Sequence, residues 1–280
     1  MNLKSPEIKI AVIDLYNNEK NEGIRCIKDI LSDLKSRNKN SVKFELFETR
    51  FKSEIPDLNY DIFISSGGPG SPFEGEGTVW EKKYFNLLDE VWNFNQKNSD
   101  RKKYIFFICH SFQMMCRYFK IAEVRKRRQK SFGILPFIKT AAGEEDPVLG
   151  DLPSPFYAAD FREYEVVNPN ANLINELNAE ITAVEIPDNK DEFVSAIMAA
   201  SITREIVGTQ FHPEADPESM FYHLRQPERK QYIIENFGVE KFNEMIKLLD
   251  DENAIKLTHR KVLPAFLNNA VEELTPVISS

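Results

Sequence analysis

Between Ile8 and Phe119 the sequence keeps switching between two hydrophobic periods, and that switching limits the fold more than any other feature. Continuous apolar runs at Ile8 to Leu15 (IKIAVIDL), Tyr60 to Ser65 (YDIFIS) and Tyr104 to Ile108 (YIFFI) read as strands buried on both faces. Val42 to Phe47 (VKFELF) alternates, as a strand nearer a sheet edge does. Between these runs the period becomes helical. Asn21 to Leu34 carries Ile24, Ile27, Ile30, Leu31 and Leu34, and Val79 to Phe94 carries Trp80, Tyr84, Leu87, Leu88, Val91 and Trp92. Strands alternating with helices at these lengths build βαβ units. The expectation is an α/β fold: an open, mainly parallel twisted sheet with helices on both faces.

From Ser131 to Phe211 the texture changes to short strand-like runs: SFGILPFI, PFYAAD, EYEVV, AEITAVEI, FVSAIMAA and EIVGTQF. They predict antiparallel strands appended to the parallel sheet. Met220 to Leu249 and Ala254 to Leu274 return to helical spacing, the latter with Pro264 expected to kink or restart it. This divides the chain into a main domain, 1–216, and a helical extension, 217–280, whose last helix packs back on the main domain.

Charge and cysteine usage exclude several classes. Thirty-six basic residues against 44 acidic give a net charge of -8, which disfavours nucleic-acid binding. No apolar run reaches bilayer length and MNLKSPEIK lacks a signal-peptide core, so no membrane association and a cytoplasmic location are expected. The basic cluster Arg125 to Lys130 (RKRRQK) reads as the solvated end of the helix after residue 109. Three cysteines, Cys26, Cys109 and Cys116, without CxxC or His-rich spacing argue against a disulfide framework, a metal site or a cofactor-binding cluster.

Three stretches carry chemistry. In YIFFICHSFQ a strand runs into a helix with Cys109 at the junction, where first-turn amides and the helix dipole favour thiolate. Taken alone, this cysteine reads first as a small buried hydrophobe, and the two stretches that follow decide against that. SGGPGSP, Ser66 to Pro72, ends the preceding strand, and its glycines let backbone N–H groups approach a developing negative charge. No lysine of a phosphate loop follows. In GTQFHPEADP, His212 and Glu214 are two apart around Pro213, so an extended backbone turns both to one side. The carboxylate can then orient and charge the imidazole. Each stretch ends a strand, where ligands of open α/β sheets bind. The combination suggests acyl transfer through a thioester.

These stretches resemble the class I, triad-type glutamine amidotransferase family, including the glutaminase part of GMP synthase, from about Lys9 to Asp216. The resemblance implies a flavodoxin-like sheet and no cofactor. It implies that Cys109 attacks the side-chain amide of glutamine, His212 passes the proton to ammonia, and Glu214 orients His212. The backbone N–H groups of Gly68 and His110 would hold the oxyanion, with Gln113 and Gly67 at the substrate. Ammonia would pass to an acceptor or to a synthetase partner chain, since nothing in this chain resembles an ATP-binding synthetase. A γ-glutamyl peptidase or hydrolase on the same scaffold, and a non-catalytic regulatory member, are the alternatives.

The sequence also departs from the family. Where the elbow usually reads G-x-C-x-G-x-Q, Phe107 and Ser111 replace both glycines. Phe161-Arg162 stands where a Ser-His pair usually contributes to the glutamine site. The segment before the final helix reads either as surface decoration or as a site-covering, partner-docking element.

Overall fold

The computed structural model describes residues 7–38, 41–186 and 195–275. The N-terminal residues 1–6 and the start of the FVSAIMAA run lie outside them.

In chain order the elements are β1 (Ile8–Ile13), α1 (Gly23–Arg37), β2 (Val42–Phe47), α2 (Thr49–Lys52), β3 (Ile62–Ser65) and α3 (Val79–Lys97). Then come β4 (Tyr104–Ile108), α4 (His110–Phe119), β5 (Ala122–Lys139), α5 (Ala141–Glu145), β6 (Phe156–Pro169) and α6 (Ala171–Leu177). The chain continues through β7 (Glu180–Glu185), β8 (Ile197–Thr203) and β9 (Ile206–Thr209), and then α7 (Pro217–Arg225), α8 (Pro227–Phe237), α9 (Val239–Leu248) and α10 (Ile255–Leu274). One nine-stranded sheet has the order β2-β1-β3-β4-β9-β8-β7-β5-β6. Strands β2, β1, β3, β4 and β9 run parallel, and β8, β7, β5 and β6 pair antiparallel. The expected class is therefore present, a mainly parallel core with an antiparallel wing. Parallel pairing brings the carboxyl ends of β3, β4 and β9 to one edge.

Alternating side chains divide the strands between two cores. On one face Ile10, Val12, Ile64 and Phe106 pack with Ile27 and Leu31 of α1 and Phe266 and Leu267 of α10. On the other, Ile13, Phe63, Ile105 and Phe107 pack with Tyr84 and Leu88 of α3 and Phe112 and Met115 of α4. Each fully buried ring of this kind contributes about 1.5–3 kcal/mol.

A third cluster joins α7, α8 and α9 to the antiparallel wing. Met220, Leu224, Ile233 and Met245 close over Ile134 and Ala159. The segment after Asp216 thus has a core of its own against β5 and β6. It is three helices, broken at Pro227 and at Gly238, whose φ is +88°. Arg25 of α1 bridges to Asp216 at 3.1 Å, and Asp216 caps α7 by accepting the Ser219 N–H at 2.6 Å.

Several expectations are corrected. PFYAAD and EYEVV are one continuous strand, β6, because β5 pairs along most of their length. EIVGTQF supplies β9, which runs parallel to β4 and belongs to the core. The basic run Arg125 to Lys130 lies in β5, not at a helix end; α4 stops at Phe119 with Lys120 left-handed. Its cations pair across the ladder, Arg125 and Arg127 with Glu165 at 2.9 Å, and Lys130 with Glu163. Pro264 leaves α10 one uninterrupted helix. Among the described residues no helix is long and apolar enough to cross a membrane, and no cluster of His, Cys, Asp and Glu could hold a metal ion.

Candidate active site

Cys109 occupies the turn between β4 and α4 at φ 49° and ψ -98°, a conformation side chains rarely adopt. Such strain costs about 1–3 kcal/mol and persists only where the surroundings enforce it. Here they do. The Cys109 N–H donates to the Thr209 carbonyl at 2.8 Å, and its own carbonyl accepts the Gln113 N–H at 3.0 Å. Ser111, where the family has glycine, uses its hydroxyl as a tie. Its Oγ accepts the Ile108 N–H at 2.8 Å and donates to the Ser65 carbonyl at 2.7 Å. Phe107 points into the core beside α4, where the neighbouring strand carries Gly208.

From the end of β9 the chain continues to His212, whose N–H donates to Ala159 of β6 at 2.8 Å. His212 Nδ1 and Glu214 Oε1 are 2.8 Å apart and both side chains are buried. The Nδ1–H therefore points at the carboxylate, which leaves Nε2 for other work. His259 of α10 reaches the Glu214 carbonyl at 3.0 Å and fixes that turn from behind. Burial alone would lower the His212 pKa, but Glu214 and Cys109 outweigh it and hold the imidazole well above its ordinary value. The Cys109 thiol faces the Phe161 carbonyl at 3.6 Å and receives Gln210 Nε2 at 3.5 Å. Gln113 Nε2 in turn donates to Gln210 Oε1 at 3.1 Å and to the Tyr164 carbonyl at 3.3 Å.

The loop after β3 forms the facing wall. A Cβ on Gly67 would lie 2.8 Å from His212 Cε1, and one on Gly68 would lie 2.5 Å from the Leu15 carbonyl oxygen. Both glycines are thus required by close approach. Arg50 holds the loop by donating to the Pro69 carbonyl at 2.6 Å and pairing with Glu74 at 2.9 Å; Arg117 donates to Pro72 and pairs with Glu81 at 3.0 Å. Among the described residues the N–H groups of Gly68 and His110 have no protein acceptor.

Cys109, His110, Gln113, Gly68, His212 and Glu214 all line one cavity of about 500 Å³. Gly67 packs behind this wall against His212 and Tyr16. The His110 imidazole is buried, and among the described residues neither ring nitrogen has a partner. Burial, then Arg50 and Arg117, push its pKa down to about 3, so the ring is neutral. Arg162 is also buried, paired with Asp160 and Glu185 at 3.0 Å each, and its Nη1 has no partner. It serves a charge network in the cavity wall.

Sequence reasoning missed several residues of this site. Tyr16 lies just after β1, and burial, Glu214 and Cys109 push its phenol well above the ordinary value. Gln210 precedes the His-Pro-Glu run and could have been found from it. His223 and Arg229 on α7 and α8 line the same cavity. No sequence signal links them to Cys109, because packing of the helical segment alone brings them there.

This fold and this elbow define a doubly wound α/β protein with a cysteine at the crossover edge. The chain belongs to the class I glutamine amidotransferase family: the family model described as "Glutamine amidotransferase class-I" matches residues 13–225. It is similar in structure to a glutamine amidotransferase from Thermotoga maritima (TM-score 0.66, 18% identity, covering 95% of this chain and 99% of that one). A glutamine amido transferase from Methylobacillus flagellatus gives a TM-score of 0.63 at 11% identity, covering 99% and 98% of the two chains. A putative GMP synthase subunit from Thermoplasma acidophilum gives 0.51 at 19% identity, covering 75% and 85%. At these identities the structural likenesses establish the fold. No curated protein sequence matches the chain.

Proposed function

We propose that the chain hydrolyses the side-chain amide of glutamine through a thioester on Cys109 and delivers the ammonia to an acceptor or a partner synthetase. The observation that carries this reading is the convergence of Cys109, His212 and Glu214 on one cavity, with His212 Nδ1 held 2.8 Å from Glu214. The sulfur attacks the amide carbon, and the carbonyl electron pair moves onto oxygen. The free N–H groups of Gly68 and His110 receive that oxyanion. As the C–N bond breaks, protonated His212 gives its Nε2 proton to the leaving nitrogen, and Glu214 stabilises the charged imidazole until then. Water then attacks the thioester while His212 takes its proton; the C–S bond breaks, releasing glutamate and restoring the Cys109 thiolate beside protonated His212.

A second reading, hydrolysis of substituted γ-glutamyl amides, is favoured by the cavity itself. It continues past His212 to α7 and α8 and is larger than one amino acid needs. Both readings use the same residues. Release of glutamate and ammonia from glutamine by the purified protein, and its loss in Cys109→Ala, is the expected result. Equal inactivity of the two proteins on glutamine and on γ-glutamyl peptides, with candidate partner chains supplied, would remove the catalytic reading.

A further inference from the structure

We propose that Arg229 of α8 is a specificity-determining residue that receives a carboxylate on the leaving-amine side of the substrate, so that the site takes γ-glutamyl conjugates of amino acids as well as glutamine. The inference rests on the hydrolytic reading of Cys109 and adds the class of leaving group.

Direction comes first. The leaving nitrogen must face the base that protonates it, so a substituent on that nitrogen extends to the His212 side of the cavity. That side is a continuous aromatic wall. The Phe161 ring lies 5.6 Å from the His212 ring, and the His223 ring lies 5.4 Å beyond Phe161. Phe132 packs edge-on against Phe161 at 4.7 Å. At the end of this wall the Arg229 guanidinium stands 5.8 Å over the Phe132 ring and donates Nη1–H to His223 Nδ1. A flat ring beneath and a ring nitrogen alongside fix the plane of the guanidinium.

Charge comes second. Arg229 has no carboxylate within ion-pair distance among the described residues, whereas its neighbours on the wall are paired. Lys130 pairs with Glu163, Arg162 with Asp160 and Glu185, and Glu22 with Arg25. Glu19 and Glu228 stand on the rim outside that distance. His223 adds no negative charge; burial, Arg229 and His212 push its pKa down to about 4, so it accepts as a neutral ring. Partial burial lowers the Arg229 pKa as well, opposed only in part by the Tyr222 phenol. Lys20, which also lines the cavity, lies 5.6 Å over the Tyr222 ring, again without a carboxylate partner among the described residues. A positioned guanidinium whose remaining donors have no partner among the described residues fits a carboxylate, which it can bind through two N–H groups.

Size comes third. The lining of this cavity, about 500 Å³ in volume, runs from Cys109 and Gln113 through His212 to His223 and Arg229, so it offers room beyond the base for a substituent on the leaving nitrogen. A γ-glutamyl dipeptide would span it, with its α-glutamyl end at Gln113 and its terminal carboxylate at Arg229.

Steady-state kinetics of the wild-type chain and of Arg229→Gln and Arg229→Lys on glutamine, γ-glutamyl methylamide and γ-glutamylglycine test this, with thermal melts to establish that each variant is folded. The wild type should prefer γ-glutamylglycine to the neutral methylamide by about tenfold or more in kcat/KM, carried mainly by KM. Arg229→Gln should collapse that ratio, and Arg229→Lys should restore part of it. A wild-type ratio near one, or a ratio that survives in Arg229→Gln, overturns the assignment while leaving glutamine hydrolysis intact. Absence of turnover on all three substrates, with candidate partner chains supplied, overturns the hydrolytic reading, and this inference with it.

Discussion

Phe107 on β4 stands in register with Gly208 on β9, and the bare backbone at 208 is what lets a phenylalanine sit two residues before the cysteine. A Cβ on Gly208 would lie 2.6 Å from Phe112 Cδ2 and 3.2 Å from Phe107 Cβ. Gly208→Ala should therefore destabilise the fold by about 1–3 kcal/mol through overpacking. Adding Phe112→Ala should cost less than the sum of the two single changes, because the clash goes with the ring. Urea unfolding of the four proteins reads both numbers; strict additivity would show that the ring and residue 208 do not compete for space.

His110 is predicted to matter only through its backbone. Its two ring nitrogens are buried without partners, so His110→Leu removes an uncompensated polar group and should stabilise the protein by about 1–3 kcal/mol. The pKa near 3 gives the pH signature. A histidine neutral in the folded state but of ordinary pKa, about 6.5, when unfolded supports stability above that pH, and the support is lost as pH falls toward 3. The leucine variant should therefore lose less melting temperature between about pH 6.5 and pH 4 than the wild type does. A large fall in kcat on a normally folded His110→Leu would show that the imidazole itself acts.

Gly67→Ala places a methyl group 2.8 Å from His212 Cε1, too close for the ring to keep its position. Displacement of a base by a fraction of an ångström to one ångström costs on the order of 10–100-fold in kcat. Wild-type turnover from this variant would mean that His212 has slack that the packing here denies.

Glu214→Gln should lower the His212 pKa, which burial depresses and which Glu214 and Cys109 together hold raised. The sign follows from linkage. A histidine whose folded pKa is raised contributes stability that is complete below its unfolded value, about 6.5, and that fades as pH rises through the folded value. The difference in melting temperature between wild type and Glu214→Gln should thus be largest at about pH 6.5 and just below, and shrink in alkali. NMR titration of the His212 ring measures the shift itself; an unchanged pKa would show that the carboxylate does not hold the charge.

Much of this was legible because the chemistry sits at strand ends. The runs at Ile8, Ile62 and Tyr104 show period and burial directly, and each reactive stretch follows such a run. The antiparallel wing was harder. RKRRQK looks like a solvated helix end until Glu163 and Glu165 on β6 are known to stand opposite it. Pairing between distant strands leaves no local period to read. Tyr16, His223 and Arg229 were invisible for the same reason: they reach the cavity through packing of α1, α7 and α8. Phe107 looked like a defect at the elbow, and only its cross-strand partner explains it.

The account stands on Cys109 being the nucleophile, and covalent labelling by a glutamine-mimicking electrophile measures that directly. Intact mass and peptide mapping of the treated protein should give a single adduct on Cys109, slowed by added glutamine and absent from Cys109→Ala. Cys26 and Cys116, whose thiols burial pushes up, Cys26 to about 12, should stay unmodified. An adduct on either of those two, or glutamine hydrolysis that persists undiminished in Cys109→Ala, would contradict it.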